Sequence, residues 1–151
     1  MKTLGNILWH FPFFGFITAG FVYLMGLLFT ATVIAAPIGL GLMQLGRFLL
    51  TPFGHQMINK KDTDAKIDPL WDKYSKIVMI LWLPIGAVLS VISALQAIAM
   101  ALSIIGIPVA IVIAKSIPTY FNPVNKVCVS TAMADEIERT KVQTKLANAG
   151  A

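Results

Sequence analysis

Two long apolar stretches dominate the chain, and each contains a proline break. The first, Ile7 to Leu50, holds one formal charge, Arg47, and the second, Ile77 to Ala114, holds none. A helix needs about 20 predominantly apolar residues to span a bilayer, and each stretch is roughly twice that length. The pattern therefore predicts an all-α integral membrane protein with no aqueous core.

The two stretches repeat one another. Thr32 to Gly39 reads TVIAAPIG and Ser103 to Ala110 reads SIIGIPVA, so hydroxyl, β-branched, small and proline positions coincide. The distance along the chain from Pro37 to Pro108, called the repeat spacing below, also separates Gly15 from Gly86 and Pro52 from Pro123. We therefore expect two tandem repeats, each a long transmembrane helix followed by a proline-broken shorter helix. The expected organisation is membrane repeat 1 (6–54), a polar linker (55–76), membrane repeat 2 (77–125) and a cytoplasmic amphipathic tail (126–151).

Three short motifs are distinctive enough to suggest a family. They are Asn-Ile-Leu-Trp at 6–9, Pro-Phe-Gly at 52–54 and Ser-Ile-Ile-Gly-Ile-Pro-Val at 103–109. Together they resemble the YccF family of small bacterial inner-membrane proteins, although the first repeat has Ala35-Ala36-Pro37 in place of Gly-Ile-Pro. The resemblance implies a duplicated inner-membrane component domain in the bacterial inner membrane, and it implies no reaction.

Each repeat divides at its proline into a long leg and a short leg. The long legs, 13–36 and 85–107, have 24 and 23 residues, enough for helices of roughly 35 Å. The short legs, 37–50 and 108–121, have 14 residues each and reach only about 21 Å. Proline suits the first turn of a helix, and one kinked helix of about 40 residues, the alternative, would far exceed the bilayer thickness. The predicted helix breaks are Pro37, Gly106 and Pro108.

The short legs carry a polar stripe on one helical face. Gln44 and Arg47 are three residues apart in the first, and Lys115 and Thr119 are four apart in the second. Three arrangements follow: the short leg lies in the interface among lipid headgroups, re-enters beside a water-filled cavity, or crosses with its cations snorkelling outward. Because neither apolar stretch offers Lys115 an acidic partner, these four residues form the candidate pore or cavity lining.

Small residues on the long legs permit close approach between membrane helices. The candidates for helix packing are Gly15, Gly20, Gly86 and Ser90. They serve contacts within one subunit or between subunits. Because each chain has only two long helices, we expect some of this surface to meet another copy in a homo-oligomer.

The distribution of basic residues indicates orientation. The linker Asn59 to Lys76 carries five lysines, and the tail carries Lys126, Arg139, Lys141 and Lys145. Both segments, and the chain termini, are therefore expected on the cytoplasmic side. Each repeat would then enter and return, which gives four inserted segments in two parallel hairpins. The alternative, one crossing per repeat, gives inverted repeats and places the linker outside.

The sequence offers no enzyme motif. It contains no Walker loop, dinucleotide fingerprint, nucleophile elbow or zincin helix, so we expect no enzyme, cofactor or metal site. Asp62-Thr63-Asp64 begins like a calcium loop, but Lys66 stands where a third oxygen ligand belongs. The net charge of +5 fits anionic lipid headgroups better than nucleic acid.

Two functional hypotheses remain. The first is a homo-oligomeric channel or transport component with a basic polar path at the broken helices, which would favour anions. The second is a non-transporting scaffold or accessory subunit that packs against a larger membrane protein or organises lipid. The tail Val129 to Leu146 places apolar residues at four-residue steps and predicts a short amphipathic helix on the cytoplasmic side.

Overall fold

The described part of the chain, residues 2–63 and 66–149 of a computed structural model, is mostly helical. In chain order its elements are α1 (Lys2–His10), α2 (Gly15–Ala31), α3 (Ala36–Leu50), β1 (His55–Asn59), a 3-10 turn (Lys60–Asp62), α4 (Pro69–Ala101), α5 (Ile107–Phe121), β2 (Lys126–Ser130) and α6 (Thr131–Ala149). Asp64, part of the rejected calcium-loop pattern, lies outside the described residues.

α2 and α3 form the first hairpin, and its leading helix is shorter than expected. The prediction of a helix over 13–36 is wrong, because α2 has 17 residues and ends at Ala31. Val33 adopts a left-handed backbone with φ 61°, which cannot continue a right-handed helix. Phe14, also left-handed, separates α2 from α1, and the two helices are bent by 80°.

α4 and α5 form the second hairpin, and here the leading helix is longer than expected. The predicted leg 85–107 is wrong at both ends, since α4 begins at Pro69 and ends at Ala101. It starts early because the Asp68 side chain caps the Leu70 N–H and proline occupies the first turn. Pro84 lies inside the helix without ending it.

The two short helices start where their prolines predict. α3 and α5 have 15 residues each and begin one residue before Pro37 and Pro108, which therefore occupy the first turn. Gly106 is the N-cap residue of α5. Proline is tolerated there because the first N–H groups of a helix have no intrahelical partner.

A two-stranded sheet corrects the all-α expectation. β1 and β2 pair antiparallel, with Met57 opposite Cys128 at the centre of the ladder. The strands occupy the beginnings of the segments expected to be a polar linker and a helical tail. The whole second hairpin separates the two strands in the chain, so neither shows its pairing partner locally.

The tail helix is less amphipathic than expected. α6 begins at Thr131, after the strand that takes up Val129, and Ala134 is its buried residue. Met133, Val142 and Leu146 are exposed. An ion pair from Lys141 to Asp62 connects the helix to the linker.

The elements form three layers. The sheet contacts α3 and α5, while α2 packs along α3 and α4 packs along α5. The core is densest in the middle layer, where Leu45, Phe48 and Val112 are almost completely buried. α2 and α4 expose large apolar side chains along most of their length. By length and composition α4 is able to span a membrane, and α1 with α2 would qualify if the bent pair were one span.

The two hairpins run in opposite directions. The Tyr74 hydroxyl at the start of α4 donates a 2.6 Å hydrogen bond to the Ile34 carbonyl in the turn of the first hairpin. At the other end, Trp9 and Leu49 line the same cavity as Met100 near the second turn. The turn of each hairpin therefore lies beside the open end of the other.

Candidate functional site

One residue of the polar stripe on each short helix contacts a strand or the segment just before it. The side-chain oxygen Oε1 of Gln44 accepts a 3.2 Å hydrogen bond from the Cys128 N–H in β2. Lys115 occupies the corresponding place on α5, and its Nζ lies 6.0 Å from the centre of the Phe53 ring, just before β1. Cations at this distance are attracted to an aromatic face. Both residues thus connect a short helix to the segment that crosses it.

The four candidate lining residues differ in their exposure and contacts. Arg47 is exposed on α3, whereas Thr119 is fully buried in α5. The Thr119 Oγ1 has no hydrogen-bond partner among the described residues. Gln44 and Lys115 are occupied by the contacts with the sheet segments. Within the described residues, therefore, Gln44 and Lys115 contact β2 and the segment before β1, respectively.

Hydroxyl groups satisfy the backbone at both hairpin turns. The Thr32 hydroxyl donates to the Phe29 carbonyl at 2.7 Å and accepts from the Ala35 N–H at 3.3 Å. In the second turn Ser103 makes the same two contacts, donating to the Met100 carbonyl and accepting from the Gly106 N–H. Backbone groups that water would otherwise satisfy are thus bonded within the turn.

The turns are also apolar and exposed. Val33 and Ile34 are each 73% exposed in the first turn, and Ile104 is 87% exposed in the second. Turns that face water are usually rich in glycine, asparagine and aspartate. An exposed β-branched turn with an internally bonded backbone is suited to lipid contact.

A tryptophan closes the open end of each hairpin. Trp9 Nε1 donates to the Leu49 carbonyl at 2.7 Å, and Trp82 Nε1 donates to the Tyr120 carbonyl at 3.1 Å. Both carbonyls lie in the last turn of a short helix, where intrahelical donors are missing. A Cβ atom at Gly86 would lie 2.9 Å from the Trp82 ring.

The other packing candidates differ in their surroundings. Gly15 lies against the Trp9 ring, whereas nothing lies within 4 Å of a Cβ added at Gly20. The Ser90 hydroxyl donates to the Ile117 carbonyl at 3.4 Å and so connects α4 to α5. Gly15, Gly86 and Ser90 thus lie at contacts between elements of the chain, whereas Gly20 has open space around it among the described residues.

A cavity of about 230 Å³ is lined mainly by α4 and α5, with further residues from α1, α2 and α3. Its polar lining comes from side chains within or beside the apolar stretches: Thr18, Ser93, Gln96, Ser116 and Tyr120. Ser93 and Ser116 are buried, and Gln96 is exposed on α4. These residues were not predicted as a site from the sequence. Polar residues within the apolar stretch of α4, Ser93 and Gln96, could have indicated the site. Their position beside the polar residues of other helices depends on tertiary packing.

Two groups of the sheet have shifted protonation equilibria. Burial raises the pKa of the Cys128 thiol, and the nearby Arg47 guanidinium opposes this by a smaller amount. Burial lowers the pKa of the Lys126 ammonium, and Asp62 partly offsets that effect. In the described ranges no three His, Cys, Asp or Glu side chains are grouped as metal ligands.

Comparison with known proteins supports the class of protein. Residues 4–55 match the family model YccF, described as an inner membrane component domain. The match confirms the resemblance drawn from the motifs and supports an inner-membrane protein. No curated protein and no solved structure matches the chain significantly.

Proposed function

We propose that the chain is a tandem duplication whose halves are related by a two-fold axis through the sheet. The bounds of α3 and α5, and of β1 and β2, are each offset by the repeat spacing. The hydroxyl contacts in the turns follow the same spacing. Across the sheet, the Lys60 N–H donates to the Asn125 carbonyl and the Thr131 N–H to the Gly54 carbonyl, and this spacing also relates the two bonds.

This axis determines how the short helices lie in the membrane. Antiparallel strands are related by an axis perpendicular to the sheet, and the hairpins run in opposite directions across that axis. The polar sheet and α6 must face water, so the axis follows the membrane normal. α3 and α5 then lie parallel to the surface in the interface, with α2 and α4 beneath them in lipid. Of the three arrangements considered for the short leg, the interfacial one fits these contacts.

The hairpin turns remain within the bilayer in this arrangement. Their exposed β-branched side chains favour lipid, and Thr32 and Ser103 bond the backbone groups that lipid cannot satisfy. We infer that the sheet and both termini lie on the cytoplasmic side, because the linker and tail are rich in lysine.

The function that this geometry supports best is a non-transporting inner-membrane scaffold or accessory subunit. The observation that carries the proposal is the contact of Gln44 with Cys128, matched by that of Lys115 with Phe53. The stripe that suggested a conducting path is used to hold a sheet and tail above the lipid-embedded helices. Such a platform presents α6 to the cytoplasm and anchors it through two hairpins.

Cysteine accessibility tests the arrangement. In a Cys128→Ser background, single cysteines are placed by Ile34→Cys and Ile104→Cys in the turns and by Lys66→Cys and Lys145→Cys outside the membrane. A membrane-impermeant maleimide is added to intact cells and to inverted vesicles. We expect both turns to stay unlabelled from either side and both lysine positions to be labelled only in inverted vesicles. Labelling of Ile104→Cys in intact cells would show a complete crossing and contradict the arrangement.

Ion flux tests the absence of transport. Purified protein in liposomes is expected to pass neither anions nor cations under concentration gradients or applied voltage. Lys115→Ala and Arg47→Ala are measured in parallel. A flux in the wild type that Lys115→Ala abolishes would overturn the scaffold proposal in favour of the path along the stripe.

The polar cavity supports a second candidate, a transport component with its path elsewhere. Ser93 and Ser116 are buried hydroxyl residues beside the exposed amide of Gln96. Polar side chains within membrane helices commonly face a wet path or another subunit. A flux reduced by Gln96→Leu and Ser116→Ala but unchanged by Lys115→Ala would favour this candidate over both others.

The same amide leads us to propose a homo-oligomer. Gln96 is exposed on the apolar surface of α4, where an amide without a partner is unfavourable, and a second copy would supply one. Mass measurement in mild detergent is expected to show an oligomer that Gln96→Leu weakens. Leu95→Ala, a neighbouring change without loss of an amide, is the control. A wild-type monomer would contradict the proposal.

A further inference from the structure

A small polar pocket lies where the second hairpin meets the sheet. Its volume is about 170 Å³, and it lies at the start of α4, one turn before the apolar stretch begins at Ile77. The polar side chains that line it come from the linker, from α4 and from the segment before β2. They are Asn59, Lys61, Asp72, Ser75, Lys76, Asn122 and Asn125.

Cations outnumber anions among these side chains. The Lys61 Nζ lies 2.8 Å from Asp72 Oδ1, and the Lys76 Nζ lies 3.1 Å from Asp72 Oδ2. One carboxylate therefore holds two ammonium groups in place, and one positive charge is left over. Both lysine side chains remain accessible, 51% and 60% exposed. Each ammonium carries three donors, so each retains donors beyond the one used by Asp72.

The neutral side chains of the pocket also offer donors. Asn122 Oδ1 already accepts a 3.1 Å hydrogen bond from the Val124 N–H, which leaves both amide hydrogens of its NH₂ group for another acceptor. Ser75 is fully buried, and its Oγ has no hydrogen-bond partner within residues 2–63 and 66–149. An unpaired buried hydroxyl costs free energy unless a ligand bonds it. Asn59 and Asn125 add amide groups that both donate and accept, so the charge imbalance of the pocket comes from two ammonium groups against one carboxylate.

From this net positive charge, the available amide donors and the unpaired Ser75 hydroxyl we propose that the pocket binds a phosphate group. A phosphate offers several strong acceptor oxygens and negative charge, which is the complement of two ammonium groups, an amide NH₂ and a hydroxyl. The position beside Ile77 places the pocket at the depth of the headgroups in the proposed arrangement. Two sources supply this chemistry, the headgroup of an anionic phospholipid and a phosphate free in solution. The binding chemistry itself holds for a scaffold and for a transport component alike.

Matched charge removals test the proposal on the purified full chain. Native mass spectrometry follows binding of phosphatidylglycerol in detergent, and calorimetry follows binding of inorganic phosphate. Lys61→Gln and Lys76→Gln are each expected to weaken binding about tenfold, the effect of losing one hydrogen bond to a charged group. Lys73→Gln, an exposed lysine on the same helix that does not line the pocket, removes the same charge and is expected to change binding less than twofold.

Ser75→Ala separates ligand binding from folding. Without ligand the variant loses only an unpaired buried hydroxyl, so its melting temperature should stay equal to or above that of the wild type. Its affinity for the phosphate probe should nevertheless fall several-fold.

Binding of phosphatidylglycerol alone would assign a lipid headgroup, and binding of inorganic phosphate alone a soluble ligand. Either result supports the pocket if Lys61→Gln and Lys76→Gln weaken it selectively. Binding of neither probe overturns the proposal. An effect of Lys73→Gln as large as those of the two pocket lysines also overturns it, since attraction would then come from general surface charge.

Discussion

The two hairpins agree at their ends and differ in their middles. In both, a tryptophan donates to the last turn of the short helix, and a hydroxyl bonds the backbone of the turn. Between these points, Gly41 corresponds to Val112 and Gln44 to Lys115. The difference teaches that the hydrogen bonds closing each hairpin are the fixed requirement. The residues beneath the sheet, Gly41 and Gln44 in one hairpin and Val112 and Lys115 in the other, differ because their neighbours differ.

The largest expected effect breaks the comparison at Gly41. A Cβ at this position would collide with the Pro123 backbone carbonyl, although the corresponding Val112 fits its own surroundings. Gly41→Ala should destabilise the fold by about 3 kcal/mol or more, because backbone on both sides prevents relaxation. Thermal unfolding in detergent measures this. Gly20→Ala, with open space around it, is the control and should be neutral or slightly stabilising.

The tryptophans are expected to have smaller and unequal effects. Trp9→Phe leaves the buried Leu49 carbonyl without its 2.7 Å bond and should cost about 2 kcal/mol. Trp82→Phe removes a longer, partly buried bond to Tyr120 and should cost about 1 kcal/mol. Trp71→Phe, near the start of α4, is the matched control in the same unfolding assay. Equal losses of stability in Trp9→Phe and Trp82→Phe would show that the burial of the two hydrogen bonds does not set their contributions.

Proline and hydroxyl spacing made part of this fold predictable. The starts of α3 and α5 follow from Pro37 and Pro108 because proline favours the first helical turn. The early start of α4 was also present in the sequence, as the capping residue Asp68 before Pro69. The apolar pattern, which begins later, predicted a later start. α2 ends just before the left-handed Val33. A left-handed backbone is rare for a β-branched residue, so nothing in the sequence indicated this end.

The candidate site was less predictable than the helices. Helical spacing predicted a polar face on each short helix, with Gln44 on α3 and Lys115 on α5. The contact of Gln44 with β2 was not predictable, because β1 and β2 pair across the whole second hairpin. Such pairing leaves no local periodicity in the sequence. The phosphate pocket likewise joins Lys61 to Asn122, which only tertiary contact brings together.

A stabilising substitution sharpens the comparison at Thr119. This residue and the corresponding Phe48 are both fully buried, but the Thr119 Oγ1 has no partner among the described residues. Thr119→Val should raise the free energy of unfolding by about 1 kcal/mol, because valine has nearly the same shape as threonine but lacks the unpaired hydroxyl. Thermal unfolding again reports the change. A loss of stability would indicate that Thr119 bonds water or a partner chain, as a lining residue would.

The smallest expected effect concerns pH. Because burial raises the pKa of Cys128, the unfolded thiol ionises first as the pH rises. Stability should therefore fall slightly in the alkaline range, starting at the ordinary pKa of a thiol. Arg47 lowers the pKa of the thiol, so Arg47→Gln should shift the maleimide reaction of Cys128 to higher pH. A pH–rate profile measures the shift, and Arg139→Gln on α6 is the control. An unchanged profile would show that Arg47 does not influence the thiol.

The pairing of β1 with β2 has a consequence for biosynthesis. β1 leaves the ribosome first, and the chain must grow by the full repeat spacing before the matching positions of β2 exist. At ordinary rates of bacterial translation this takes roughly 4–14 s. During that interval β1 has no strand partner. If the first hairpin enters the membrane as it is made, pairing of β1 with β2 follows insertion, and the newly made first hairpin depends on the timely arrival of the second.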